Sequence, residues 1–237
     1  MTNRWHVLGA GAMGCLFAGA LAHAGIPVTL LLRESRDSEG RLRIDTEGAR
    51  EELSLPVAAT SAAGPVTHLL VTTKAYDVET AVAAVAHRLG PATQLLLMVN
   101  GMGLAERLAA QYPDLSLFCG VTTEGAYRVG PLHIRHAGRG MTRIGSLRGA
   151  APPDWLSDWT GSVAACAWEP AVAAALWQKL AINCAINPLT ALHRCRNGEL
   201  ADRPLLAARV RALCEEISAV SRAAGYHETA ANLQRAV

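Results

Sequence analysis

A polar stripe on an apolar segment is the first place in this chain where residue types and spacing point to chemistry. In residues 176–189, LWQKLAINCAINPL, the side chains of Lys179, Asn183 and Asn187 recur at helical spacing and share one face. A lysine ammonium can protonate a carbonyl oxygen as it becomes an alkoxide, and amides can hold a small polar acid. Asparagine is a poor helix former without a specific partner, and Pro188 is expected to end the helix near Asn187. The alternative is the ordinary polar face of an amphipathic helix.

The segment VLGAGAMG, residues 7–14, carries three glycines in the spacing of a nucleotide-binding turn. Gly9, Gly11 and Gly14 lie between an apolar run that predicts a strand and a segment that predicts a helix. The first glycine permits a tight turn, the second lets a pyrophosphate approach the backbone, and the third lets helix and strand pack closely. The helix N-terminus adds free N–H groups and a partial positive charge. The alternative is a glycine-rich turn without a ligand. The predicted cofactor contacts of the turn are Gly9, Ala10, Gly11, Ala12, Met13 and Gly14.

Polar side chains follow three further predicted strands. Arg33 stands where an NAD site usually carries a carboxylate for the ribose 2′-hydroxyl, and a guanidinium suits a 2′-phosphate, so NADP is the predicted cofactor. Lys74 closes LLVTTK and Asn100 follows LLLMV, which places both at the sheet edge that carries the glycine turn. The alternatives are a surface arginine and strand ends that are polar for solvation alone. Arg36 and Arg41 could assist Arg33 or be solvated loop charges.

Composition excludes several classes of protein. Hydrophobic residues make up 51% and charged residues 18% of the 237-residue chain, which is typical of a globular protein rather than a disordered one. A net charge of +2 without a basic run argues against a nucleic-acid partner. The six cysteines form no CxxC pair, which predicts reduced, mostly buried thiols and a cytoplasmic protein. No His or Cys cluster has ligand spacing, so no metal is predicted.

The N-terminal segment raises the alternative of a signal peptide. No charge lies between Arg4 and Arg33, and the triplet ALA at residues 20–22 resembles a signal-peptidase site. The glycines of this segment, together with Pro27, would break a single membrane helix. We therefore expect a strand, a turn and a helix, and no membrane partner.

The order of the predicted elements indicates an α/β fold in two parts. Strands at 5–8, 28–32, 68–71, 94–99 and 115–119 alternate with helices at 12–24, 78–89 and 104–110, which predicts a Rossmann-type, doubly wound parallel sheet. Residues 122–147 suggest a hairpin or an extended edge, and everything after Pro170 is predicted to be helical. The domains are therefore placed at 1–168, for NADP, and at 169–237, a helical substrate domain.

The predicted helix at 204–224 has an apolar stripe that needs a cover. Only about a dozen residues follow this helix, so we expect an exposed apolar face and a possible homodimer through the helical domain. The stripe consists of Leu206, Val210, Leu213, Ile217 and Val220.

Over essentially its whole length the chain resembles the ketopantoate reductase (2-dehydropantoate 2-reductase) family. The resemblance lies in VLGAGAMG, VTTKAYDV and VNGMG, and most specifically in LWQKLAINCAINPLTAL with NGEL after it. It implies reduction of 2-dehydropantoate, a 2-keto acid, to pantoate with NADPH, a step towards pantothenate and coenzyme A. It also implies that Lys179 is the general acid and that Asn183, Asn187 and Asn197 are substrate-binding amides.

The resemblance implies roles for residues of the nucleotide-binding part as well. Asn100 matches an asparagine that contacts both the nicotinamide ribose and the substrate, and Lys74 matches a lysine of the cofactor site. Arg33 matches the arginine on the 2′-phosphate, and Ala126 matches a backbone contact to the cofactor.

The chain departs from the family pattern at two places. Family members continue through further helices that carry a substrate-binding serine and a glutamate, so the helical domain is expected to be incomplete here. The segment GVTTEGAYRVG carries Glu124 and Gly125 in place of other residues. Two alternatives follow: an NADP-binding protein without turnover, or a related dehydrogenase for another 2-keto acid.

Overall fold

The computed structural model describes residues 3–34 and 39–237, which fall into two compact units, Met1–Val172 and Ala173–Val237. The strands are β1 (Trp5–Leu8), β2 (Val28–Leu32), β3 (Glu39–Asp45), β4 (Arg50–Ala59), β5 (His68–Val71), β6 (Gln94–Leu97), β7 (Ser116–Thr122), β8 (Gly125–Gly130), β9 (His133–Gly138), β10 (Thr142–Gly145) and β11 (Cys166–Trp168). The helices are α1 (Ala12–His23), α2 (Val78–Val85), α3 (Leu104–Gln111), α4 (Leu156–Ser162), α5 (Val172–His193), α6 (Asn197–Asp202), α7 (Pro204–Ala223) and α8 (His227–Ala236). The domain boundary predicted after Trp168 stays a prediction, because compactness alone does not define a domain.

A parallel sheet of six strands organises the first unit. Its order is β4-β2-β1-β5-β6-β7, which is the 3-2-1-4-5-6 order of dinucleotide-binding sheets. Its central strands are short, mostly apolar and almost entirely buried, as strands covered on both faces must be. The predicted Rossmann-type α/β fold with a helical C-terminal region is confirmed. The strand β10 then adds antiparallel to β7 and extends the sheet.

A second layer of strands covers α1. The strands β3 and β4 are antiparallel, β9 pairs with β3, and β8 pairs with β9. The helix α1 contacts β1 and β2 on the parallel sheet and also β3, β8 and β9. A helix buried on opposite sides has no face that favours charge, which explains the uncharged stretch before Arg33. The strands β3 and β4 were not predicted from the sequence.

Aromatic rings join α4 to the start of the sheet. Trp155 and Trp159 both meet Trp5 edge-on, at centroid separations of 5.1 and 5.4 Å. Trp155 also meets Phe118 of β7 at 5.1 Å and 90°. Edge-to-face pairs of this kind contribute about 0.5–1.5 kcal/mol each beyond their buried area. This cluster attaches α4 to β1 and β7.

In the second unit, α5 continues past its proline. Pro188 lies inside a helix that runs to His193, so the prediction that Pro188 ends the helix near Asn187 is wrong. A proline removes one backbone hydrogen bond. Packing offsets that loss, because Leu189 in the same turn is 7% exposed and contacts Leu200 and Leu206.

The apolar stripe predicted on α7 is largely covered within the second unit. α5, α6 and α8 supply the cover, through two clusters that include Leu206, Val210, Leu213 and Ile217. Val220 is 59% exposed, and Ser221 takes the inward position, where its hydroxyl accepts a hydrogen bond from Trp177 Nε1 at 3.0 Å. The expectation of an exposed apolar face on α7 is therefore wrong. The homodimer inferred from that face stays a prediction, which light scattering can test.

None of the helices in the described ranges is long and apolar enough to cross a lipid bilayer.

The buried imidazole of His6 predicts a loss of stability in mild acid. His6 is 6% exposed, and burial, with the nearby charge of Arg88, lowers its pKa from 6.5 to about 4. A group whose pKa is lower in the folded state stabilises fully above its unfolded value, so stability should fall as the pH drops from about 6.5 to about 4. The loss attributable to His6 is roughly 3 kcal/mol. Urea unfolding at a series of pH values measures it.

The variant His6→Gln should lose less stability across that range than the wild type. The matched control is His227→Gln, at an exposed position on α8, which should keep the wild-type slope. Equal slopes for His6→Gln and the wild type would show that the burial of His6 is not the cause.

Candidate functional site

The turn between β1 and α1 leaves no space for side chains at its first and third glycines. Gly9 has a φ of +105°, and a Cβ there would lie 2.7 Å from the Thr73 nitrogen. A Cβ on Gly14 would overlap the Gly9 carbonyl oxygen and lie 2.6 Å from Thr72 Oγ1. These two glycines therefore bring the start of α1 against the strand end and the neighbouring strand β5.

The second glycine of the turn faces open space. A Cβ on Gly11 would meet no atom within 4 Å. Gly11 is the N-cap residue of α1, no side chain caps the helix, and its first turn holds no acidic residue. The first amides of α1 are therefore available to an anion, and the partial positive charge of the helix is not compensated. A dinucleotide pyrophosphate fits this position.

Thr72 supports the turn, and sequence reasoning missed it. Its hydroxyl donates to the Gly9 carbonyl at 2.7 Å, and its backbone nitrogen donates to the Leu8 carbonyl at 2.9 Å. The signal in the sequence was a small hydroxyl residue directly after β5, in the segment that also holds Lys74. Such a residue can bond a backbone group where a larger side chain would collide with Gly14.

Arg33 and Lys74 lie at the carboxyl ends of the strands that flank β1. Arg33 follows β2, its side chain is 90% exposed, and its Nη2 lies 3.8 Å from Asp77 Oδ1. Asp77 is the N-cap residue of α2, yet its side chain makes no capping hydrogen bond. Lys74 is exposed and precedes a 3₁₀ turn, whose last residue, Asp77, donates its N–H to the Lys74 carbonyl at 2.9 Å. Sequence reasoning missed Asp77, although it follows Lys74 in VTTKAYDV.

Of the two arginines predicted to assist Arg33, only Arg41 falls within the described residues. Arg36 lies outside the described residues. Arg41 is an exposed residue of β3 that pairs with Ser54, so its interpretation as a loop charge is wrong. Its place in a regular strand follows from the alternation of buried and exposed residues along β3.

Asn100 and Ala126 occupy different parts of the first unit. Asn100 is exposed in the bend after β6, followed by Gly101 at a φ of +109°. It thus lies at the same carboxyl edge of the sheet as the glycine turn. Ala126 belongs to β8, opposite His136 of β9, and packs against the core that surrounds α1.

An acid–imidazole pair lies just before Ala126, in the segment GVTTEGAYRVG. The Glu124 carboxylate is 2.6 Å from His136 Nε2, and the two side chains are 6% and 18% exposed. The Glu124 N–H donates to Thr122 Oγ1 at 3.1 Å. These bonds hold the corner between β7 and β8, which leads to Ala126.

The polar stripe on α5 lies opposite the face that the second unit buries. Lys179 and Asn183 are half-buried and Asn187 is exposed. The opposite face carries Ala181 and Ala185, at 3% and 0% exposure, in contact with α7 and α8 residues. The stripe therefore lies on the side of α5 away from the contacts with α7 and α8. Asn197, the fourth predicted substrate contact, is exposed in the first turn of α6.

The Lys179 ammonium is partly withdrawn from water. Burial lowers the pKa of its ammonium from the ordinary value of 10.5. The chain holds only two lysines, Lys74 and Lys179, against twenty arginines. Arginine keeps its proton at any accessible pH, whereas lysine can give one up.

Among residues 3–34 and 39–237, no group of three or more His, Cys, Asp or Glu side chains could hold a metal ion.

Family comparison matches the chain in two parts. The model described as Ketopantoate reductase PanE/ApbA matches residues 5–149, and that of the PanE/ApbA C terminal matches residues 171–237. The 2-dehydropantoate 2-reductase of Vibrio cholerae is 35% identical over 223 residues, which are 92% of this chain and 72% of that protein. That of Shigella flexneri is 37% identical over 230 residues, 96% of this chain and 74% of that protein.

Solved structures share the fold. A PanE/ApbA family ketopantoate reductase from Ralstonia eutropha JMP134 gives a TM-score of 0.82 at 26% identity, with 99% of this chain and 81% of that chain covered. D-mandelate dehydrogenase, in a ternary structure with NADH and anilino(oxo)acetate, gives 0.85 at 20% identity, with 98% and 79% covered. This chain therefore belongs to the ketopantoate reductase family, as shown by the two family matches and these identities together with the glycine turn and the strand order.

Proposed function

We propose that this chain reduces 2-dehydropantoate to pantoate with NADPH, as a step of pantothenate biosynthesis that leads to coenzyme A. The observation that carries the proposal is the match to proteins named 2-dehydropantoate 2-reductase, at 35–37% identity over 92–96% of the chain. The residues matched by the two family models include the glycine turn and α5. An oxidoreductase of this kind needs a nicotinamide cofactor, a proton donor and groups that hold a small acid.

The cofactor contacts in this proposal come from the first unit. The open side of Gly11 and the uncapped start of α1 would hold the pyrophosphate, with Ala10, Ala12 and Met13 in the same turn. Arg33 would bind the 2′-phosphate, with Lys74 as a second cation at that edge. Asn100 and the backbone of Ala126 would contact the nicotinamide half. When bound, the cofactor supplies the hydride.

Lys179 would donate the proton. Its ammonium would hydrogen-bond the keto oxygen, stabilise the negative charge that develops there, and end as a neutral amine beside the new hydroxyl. Partial burial favours this transfer, because it already disfavours the charged form. Asn183, Asn187 and Asn197 would donate amide hydrogens to the carboxylate and accept from the hydroxyl, which fixes the orientation of the substrate.

We also propose a cytoplasmic location. All six cysteines are free thiols, and Cys15, Cys119 and Cys214 are buried. Burial raises the pKa of Cys15 to about 11 and of Cys119 to about 12, so neither forms a reactive thiolate. Free thiols in this number are typical of a reducing compartment.

Two alternatives share the fold and differ in chemistry. The first is a nucleotide-binding protein without turnover. The second is a reductase of another 2-keto acid, and the fold shared with D-mandelate dehydrogenase makes benzoylformate a suitable comparison substrate. Loss of NADPH absorbance with ketopantoate, benzoylformate and 2-ketoisovalerate separates the three. Turnover with ketopantoate at the highest kcat/KM supports the proposal, and NADPH binding without turnover of any substrate supports the first alternative.

A pair of glycine variants tests the nucleotide turn. Gly11→Ala should keep the wild-type Tm, since its Cβ meets nothing, but it should weaken NADPH binding by about tenfold, or about 1.4 kcal/mol. Gly14→Ala should lower the Tm by several degrees, because overpacking costs about 1–3 kcal/mol. Thermal melts and NADPH fluorescence titrations measure both. Unchanged NADPH affinity in Gly11→Ala would exclude the turn as the pyrophosphate site.

The pair Arg33 and Asp77 tests the choice between NADPH and NADH. Arg33→Ala should weaken NADPH binding by about ten- to a hundredfold, the worth of a charge-assisted hydrogen bond, and leave NADH binding nearly unchanged. Asp77→Asn should tighten NADPH binding, because it removes a carboxylate beside the phosphate. Parallel titrations with both cofactors give the ratio. Equal losses for both in Arg33→Ala would contradict a role in the 2′-phosphate contact.

The role of Lys179 is tested by two variants and by pH. Lys179→Ala and Lys179→Arg should both lower kcat by about 10²–10⁴-fold, because neither side chain can deliver a proton. The matched control is Gln178→Ala, at the exposed neighbouring position, which should stay near wild type. In the wild type, kcat should fall as the pH rises through the lowered pKa of Lys179, below 10.5. Full activity of Lys179→Arg would reject the general-acid role.

A further inference from the structure

An open cavity of about 440 Å³ lies at the end of the parallel sheet where β5 and β6 begin. Its walls are the loop 64–67 before β5 and the segment 87–93 between α2 and β6. The glycine turn lies at the other end of these strands, about 13 Å away for four residues of β structure. The volume is in the range of small-molecule sites, about 300–1,000 Å³.

A buried arginine, Arg88, lines this cavity. Arg88 is 8% exposed, and its Nε donates to the Gly64 carbonyl at 2.8 Å. Its Nη1 is buried without a hydrogen-bond partner, and within the described ranges no carboxylate forms an ion pair with it. Burial of an unpaired guanidinium is costly, and one neutral carbonyl does not balance its charge.

The histidines near Arg88 do not balance its charge, because an imidazole is either neutral or cationic. His87 lines the rim of the cavity, and its Nε2 lies 3.1 Å from the Ala62 carbonyl. The charge of Arg88 also acts on His6, whose pKa is lowered mainly by burial. The carboxylate that acts on His68 belongs to Asp158, which already accepts hydrogen bonds from Asn3 and Trp5.

We propose that this cavity is an anion-binding site, separate from the nucleotide turn, which takes the phosphate or carboxylate group of a small metabolite against the Arg88 guanidinium. The bound anion supplies the negative charge that no carboxylate of the described residues provides to Arg88. The cavity volume is large enough for the rest of the metabolite as well as for its anionic group. This inference does not depend on the proposed reductase activity.

NMR titration of the full chain with inorganic phosphate tests the site. Acetate in a second series distinguishes phosphate from carboxylate preference, and chloride keeps the ionic strength constant. The imidazole signals of His6, His68 and His87 are the readout, because phosphate bound at the glycine turn lies at the other end of the sheet. We expect saturable shifts of these signals, which Arg88→Gln abolishes. The control Arg148→Gln, at an exposed loop position, should keep them.

The test stays decisive if Arg88→Gln does not fold. Arg88→Lys keeps the charge and should retain a saturable response with weaker affinity, and His87→Ala, at an exposed position, should weaken it severalfold. Shifts that grow linearly with both anions in the wild type, or that are identical in the wild type and in folded Arg88→Gln, would overturn the proposal.

Discussion

The contact between Gly14 and the Gly9 carbonyl determines how closely α1 approaches the sheet, and most of the first unit depends on it. No side chain fits at either glycine, and Thr72 completes the contact from β5. Because α1 lies this close, its other side can be covered by β3, β8 and β9. The helix then has no solvated face, and its N-terminal amides remain free at the edge of the sheet. The requirement that buries α1 thus also creates a place for an anion.

Cations occur at both ends of the parallel sheet under different physical conditions. Arg33 and Lys74 lie at the carboxyl edge, where water solvates them and a bound phosphate can replace that water. Arg88 lies at the opposite edge, where it is withdrawn from water and holds one carbonyl. An exposed cation needs no partner to be tolerated, whereas a buried one does. Because of this difference, the buried Arg88 is stronger evidence for an anionic ligand than an exposed arginine would be.

In the helical unit, the helix α5 has one packed face and one polar face. The small residues Ala181 and Ala185 let α7 and α8 pack closely on one face of α5. The opposite face carries Lys179 and Asn183 in partly buried positions. An amine that is half-buried is easier to deprotonate than one in water, without the full cost of a buried charge.

The sequence by itself determined the alternation of short apolar strands with helices, the glycine turn at β1, and the spacing of Lys179, Asn183 and Asn187. These are local properties, because a short apolar run, a positive φ or a helical period needs no distant partner. Tertiary structure decided the rest. Pro188 stays inside α5 because Leu189 is held by α6 and α7, and Ser221 replaces Val220 in the core because Trp177 bonds it.

β3 and β4 carry an alternating pattern that their many surface charges obscured, and they form as strands by pairing with each other and with β2 and β9. The contacts of Arg33 with Asp77 and of Thr72 with Gly9 join residues far apart in the chain, so only the folded sheet could reveal them.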